Sequence, residues 1–139
     1  MGLINDVFRD LMDDLALDHL LIDTHPGLNE ETLLSIAISD ELVILLRPDR
    51  QDFQGTAVTV EVARKLGVKR LVMVLNKVLP IVAERGFQAE VERTYDAPVI
   101  GVLPESPDML ELGSSGLFSL RFPDHPLSEE IRGVAARLA

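Results

Sequence analysis

Residues 39–56 read SDELVILLRPDRQDFQGT, and five consecutive apolar residues, Leu42–Leu46, end abruptly at Arg47-Pro48-Asp49. Such a run is too short for a buried helix or a membrane span, and it fits a strand covered on both faces. Downstream, Asp52 is placed to cap a long helix to about Leu66 that stops at Gly67. Three further runs repeat the theme. Arg70–Leu75 (RLVMVL) ends at Asn76-Lys77, and Pro98–Leu103 (PVIGVL) is stopped by Pro104. Upstream, His19–Asp23 (HLLID) is a short apolar run closed by a carboxylate.

Helical periodicity fills the intervals. Leu3, Ile4, Val7, Phe8, Leu11, Met12 and Leu15 share one face of a helix over residues 3–16, predicted to lie on a core. Asn29 is an N-cap followed by Glu30 and Glu31, where the helix dipole favours anions. Ala83, Phe87, Val91 and Tyr95 recur at four-residue intervals. Ser106-Pro107-Asp108 has the order of a cap, a proline at the first helical position and an acid. Residues 113–126 read as a loop, after which Ser128 is positioned to cap a last helix with Leu127, Ile131, Val134 and Leu138 on one side. Apolar strands alternating with helices give the α/β class: three layers, α/β/α, around a mostly parallel sheet. The length of 139 residues favours a single domain, 1–139.

Composition narrows the chemistry. The net charge is −10, and the 13 Lys and Arg are scattered, so no patch suited to a nucleic-acid backbone is present. There is no Cys, which removes disulfides, thiolate metal sites and thiol nucleophiles together. The N-terminus has no signal-peptide pattern, and a cytoplasmic protein is expected. No serine stands in a G-x-S-x-G turn, so a serine-hydrolase site is not indicated. The final helix carries Arg132 and Arg137, but Glu129 and Glu130 precede a short stripe free of Trp and Phe, so packing on the sheet is expected rather than membrane binding.

In open α/β sheets, ligands bind beyond the carboxyl ends of the strands. The residues expected there are Asp23 with Thr24-His25-Pro26-Gly27, Arg47-Pro48-Asp49, Asn76-Lys77, and Pro104-Glu105-Ser106. An apolar strand ending in Asp before a glycine-containing turn suits Mg²⁺-nucleotide chemistry, since hard Mg²⁺ keeps its waters and accepts carboxylate oxygen. The same Asp is also a common helix cap, and Gly27 a common turn glycine. His25 is of a residue type able to transfer protons, but a lone histidine in a loop is more often simply solvated. Asn76 offers a donor and an acceptor together; an Asn ending a strand is equally a turn former.

Taken in order, these segments resemble the MinD/ParA group of deviant-Walker ATPases. DHLLIDTHPGL at Asp18–Leu28 is similar to that group's Walker B strand entering switch II. SDELVILLRPDRQDFQGT is similar to the next strand and helix, RLVMVLNKV to the strand whose final Asn recognises adenine, and VIGVLPESPDMLE to the segment flanking the base. The resemblance implies a P-loop NTPase-like fold using ATP and Mg²⁺. Asp23 would hold magnesium through water, and Gly27 would sense the γ-phosphate. Thr24, Asn76, Pro104, Glu105 and Ser106 would line the nucleotide.

The defining element of that group is missing from these residues. No G-x-x-x-x-G-K-[ST] occurs; Gly113-Ser114-Ser115-Gly116 has neither its spacing nor its Lys. Without it the phosphates lack a backbone cradle and a Lys, so ATP hydrolysis by this chain alone is not expected. The resemblance therefore implies the C-terminal portion of such an ATPase, incomplete at the Walker A strand. A partner supplying that strand and loop, or a second copy, is expected at the exposed sheet edge. The alternative is a non-catalytic dimerisation or protein-interaction module on the same fold.

Overall fold

The computed structural model describes residues 2–138, with side chains from Asn5 onward. The elements are α1 (Gly2–Asp14), α2 (Glu30–Ile38), β1 (Glu41–Leu46), α3 (Arg50–Lys65), β2 (Arg70–Val78), α4 (Pro80–Glu84), α5 (Phe87–Tyr95), β3 (Val99–Pro104), α6 (Pro107–Leu112), α7 (Phe118–Arg121) and α8 (Pro126–Leu138). The three strands form one parallel sheet in the order β1-β2-β3.

That order explains the layers. Right-handed crossovers moving in one direction across a sheet place their helices on one face. Accordingly α3 and α5 share one core with the sheet: Val60, Phe87, Val91 and Tyr95 pack with Ile44, Leu46, Met73 and Leu75. The alternate residues Val72, Val74 and Ile100 point the other way and are covered by Val134 and Leu138 of α8. Leu46, Met73 and Leu75 are fully buried, each worth about 1.5–3 kcal/mol relative to exposure.

The last helix is keyed onto β3. An extra residue at Ile100 interrupts the β2–β3 register, since Met73 pairs with Val99 and Val74 with Gly101. The Ile100 carbonyl accepts from Arg137 Nη1 at 2.6 Å. At the adjoining start of β2, Arg70 pairs with Glu41 at 2.8 Å and donates to the Arg137 carbonyl at 2.9 Å. The final helix thus packs on the sheet, as its pattern suggested.

Several expectations need correction. His19–Asp23 is not a strand, because a strand requires a ladder partner and β1 is paired only with β2 among the described residues. Leu21 stands 87% exposed as a result. The face of α1 likewise lacks a core: Val7, Leu11 and Leu15 are exposed. Leu3 and Ile4, assigned to that face, lie outside the described side chains. The cap of α3 is Asp49, whose carboxylate accepts from Asp52 N–H at 2.9 Å, and the helix begins at Arg50. The helical stretch after β2 is divided into α4 and α5 at Gly86, whose φ of 78° is left-handed. Residues 113–126 include the short α7. Ser128 does not cap α8; it is buried and donates to the Phe122 carbonyl at 2.7 Å.

Candidate functional site

The carboxyl end of the sheet gathers three turns. After β1, Arg47 is fixed against Asp52: Nε to Oδ2 at 3.0 Å, Nη2 to Oδ1 at 2.9 Å, and its own N–H to Oδ2 at 2.9 Å. The fork-shaped guanidinium matches both carboxylate oxygens, which lowers the Asp52 pKa chiefly through this hydrogen bond and raises that of Arg47. The pattern Arg47-Pro48-Asp49 was legible as a strand stop. The clamp to Asp52 was not, because that carboxylate had been assigned to capping.

At the end of β2 the register slips by one residue between Leu75 and Val78, leaving a bulge at Asn76-Lys77. Lys77 has φ 54°, a left-handed backbone that few non-glycine residues adopt. Asn76 Oδ1 accepts from the Lys77 N–H at 3.0 Å, which orients the amide. The bulge is next to the loop after β3, where Glu105 N–H donates to the Val78 carbonyl at 3.2 Å. Pro104 ends β3, and buried Ser106 caps α6 by accepting from Met109 N–H at 3.3 Å. Asn76, Pro104, Glu105 and Ser106 are therefore carried on neighbouring strand ends by hydrogen-bonded backbone.

Asp23, Thr24 and Gly27 are not held by any strand ladder. They lie in the irregular stretch before α2, all exposed. Gly27 has φ 95° with open space around the position of a Cβ, so its backbone conformation demands glycine while nothing crowds it. The segment is tied to α2 by Thr32, whose hydroxyl donates to the His25 carbonyl at 3.4 Å, and by the Asn29 cap on Thr32 N–H at 2.8 Å.

Among the described residues no three His, Asp or Glu side chains are gathered as for a metal ion. A single exposed carboxylate fits the water-mediated role assigned to Asp23, since Mg²⁺ takes one or two carboxylates and draws its other ligands from water and phosphate. Two shallow grooves open elsewhere, one between α3 and α5 beside Arg64 and Tyr95, the other along β3 beside Glu130 and Arg137. Neither is lined by a candidate residue.

A parallel sheet flanked by helices on both faces, with polar residues at its carboxyl ends, defines a three-layer α/β domain of the open-sheet class. The particular fold is that of MinD. The MinD cell-division protein of Aquifex aeolicus matches with a TM-score of 0.86 at 18% identity, over 96% of this chain and 58% of that one. The cell-division ATPase MinD of Pyrococcus furiosus matches at 0.74 and 23% identity, over 97% and 57%. The Aquifex protein solved as a MinC:MinD complex matches equally, at 0.86. In sequence, two uncharacterised ATP-binding proteins of Methanocaldococcus jannaschii are similar. One is 29% identical over 120 residues, the other 30% over 105. The chain spans 45% and 39% of their lengths. No family model matches the chain. The fold expected from the motifs is thus the fold observed.

Proposed function

We propose that this chain is the nucleotide-binding-type half of a MinD-like ATPase, carrying the Walker B, switch II and adenine-loop elements and requiring a Walker A segment to act. One observation carries the reading: the MinD fold covers 96% of this chain while, among the described residues, β1 keeps an unpaired outer edge. Leu45 on that strand is 59% exposed, and the unpaired Leu21 stands in the segment resembling Walker B. The ATP-binding relatives support nucleotide as the ligand class.

In the completed site Asp23 would hold the water shell of Mg²⁺, which supplies charge neutralisation at the phosphates. Thr24 and Gly27 would face the γ-phosphate. Asn76, with its oxygen held by Lys77 N–H, would present its amino group to the base between the backbone of Pro104, Glu105 and Ser106. Arg47, pinned to Asp52, keeps β1's carboxyl end in shape beside the open edge.

The test is calorimetric titration of Mg·ATP, with Mg·GTP as control. The 139-residue chain alone should give no binding in the micromolar range. Co-expression with a segment carrying the Walker A strand should restore it, and Asp23→Ala should then abolish the Mg²⁺-dependent part. Micromolar ATP binding by the chain alone, or unchanged affinity in the Asp23 variant, would refute the respective assignment. The exposed Leu21 and Leu45 also favour a second reading, a non-catalytic interaction module. A stable homodimer formed without nucleotide and indifferent to Asp23→Ala would select it.

A further inference from the structure

The start of α8 is capped by a histidine. The helix begins at Pro126, and the His125 carbonyl accepts the first helical bond from Glu129 N–H at 3.1 Å. The His125 side chain takes the place usually filled by Ser, Thr, Asp or Asn: its Nδ1 accepts from Leu127 N–H at 3.0 Å. Nδ1 must therefore be unprotonated, which places the ring proton on Nε2. There it faces Asp108 Oδ2 of α6 at 3.3 Å. The ring stands edge-on to Phe118 of α7, with centroids 5.1 Å apart at 86°. A neutral imidazole satisfies both contacts at once.

A second proton changes this. It occupies Nδ1, removes the acceptor and turns a donor toward the Leu127 N–H. It also sets a positive charge at the positive end of a helix dipole. Among amino-acid side chains, imidazole is the one that ordinarily gains a proton just below neutrality. Asp108 on α6 meets the ring, and the charged groups close to His125 along the chain are Arg121 and Asp124 before it and Glu129 and Arg132 on α8. Arg132 is engaged with the Pro123 carbonyl at 2.8 Å, which leaves Asp108 as the carboxylate in contact with the ring.

We propose that His125 is a proton-sensitive cap: neutral, it pins the first turn of α8 to α6; protonated, it releases the Leu127 amide and frays that turn while the rest of α8 stays on the sheet through Val134 and Arg137. The cap stands independently of the nucleotide reading. Because Ser106 caps α6, the state of His125 bears on the loop assigned to the base, and that consequence alone rests on the reading above.

The test is amide hydrogen exchange, corrected for intrinsic rates, at pH 7.5 and 5.5. Protection at Leu127 and Ser128 should fall about fivefold at the lower pH, the factor expected for loss of a typical cap. In His125→Asn, whose amide oxygen caps without titrating, it should not change. Asp108→Asn should move the transition to lower pH, because the imidazolium loses its partner. Equal protection at both pH values in the wild type, an equal fall in His125→Asn, or a fall spread over the whole chain would overturn the proposal. An unmoved transition in Asp108→Asn would remove Asp108 from it.

Discussion

Gly101 on β3 lies directly beneath Val134 of α8, so close that a Cβ on Gly101 would overlap the Val134 Cγ2 methyl. The glycine is buried, and its conformation would permit any residue; the requirement is space. Gly101→Ala should therefore destabilise the chain by about 1–3 kcal/mol through overpacking, measured by urea denaturation. Combining it with Val134→Ala should recover part of the loss, because the two sites share one contact. Strictly additive effects would show that α8 is not seated on this glycine.

Tyr95 donates its hydroxyl to the Phe53 carbonyl at 2.8 Å and stacks obliquely on the Phe53 ring, with centroids 5.9 Å apart. It joins α5 to α3 beneath the sheet. Tyr95→Phe removes this hydrogen bond between the two helices and should cost about 0.5–1.5 kcal/mol. Burial first, and the Glu90 charge second, raise the phenol pKa. The fold thus disfavours the phenolate, so this contribution is complete below the unfolded value of about 10 and is lost as pH rises through the higher folded value. Tyr95→Phe should lack this alkaline decline. Since the chain has one Tyr, absorbance near 295 nm reports its ionisation directly; an unshifted titration would contradict the assignment.

The Arg47–Asp52 clamp gives the opposite sign. The hydrogen bond from Arg47 lowers the Asp52 pKa, so its stabilisation is present above the unfolded carboxylate value of about 3.9 and is lost as pH falls through the lower folded value. Arg47 is half exposed, which limits the effect to about 1 kcal/mol. Asp52→Asn should be less stable by up to that amount at pH 7 and indistinguishable from the wild type near pH 2. Denaturation midpoints at the two pH values decide the matter, and a gap that persists at pH 2 would mean Asp52 acts through packing.

What the sequence made legible follows from how local each signal is. Leu42–Leu46, Arg70–Leu75 and Pro98–Leu103 are apolar runs bounded by Pro, Gly or Asn, and each became a strand within a few residues of its expected ends. The Asn29 and Ser106 caps were equally local and were found in place. HLLID was misread because its apolar pattern records what it is suited to pair with, and among the described residues no strand stands beside it. The bulges at Ile100 and Asn76-Lys77 arise from inter-strand register, which no single run encodes. Ser128 was read as the cap because hydroxyls are the usual acceptors there, yet its side chain turns inward to the Phe122 carbonyl. The strand ends carrying Asn76 and Pro104–Ser106 were placed by the fold, whereas Asp23 and Gly27 depend on the irregular stretch before α2, which no strand ladder orders among the described residues.

That dependence yields the last prediction. The outer edge of β1 has no strand beside it among the described residues, and Leu45 projects on the face that α8, seated over β2 and β3, leaves uncovered. An added parallel strand would complete the ladder and bury Leu45; unpaired apolar edges are otherwise sites of uncontrolled pairing. Leu45→Lys keeps β1 paired to β2, whose register runs from Glu41–Arg70 to Leu46–Leu75, but sets a charge where the new strand must pack. Its thermal stability as an isolated chain should change by less than about 0.5 kcal/mol, as for an exposed position. Association with a second copy, or with a segment carrying the missing strand, should weaken at least tenfold, read by light scattering and titration. If association is unchanged while the chain remains folded, the partner binds elsewhere, and the exposed residues of α1 become the surface to test.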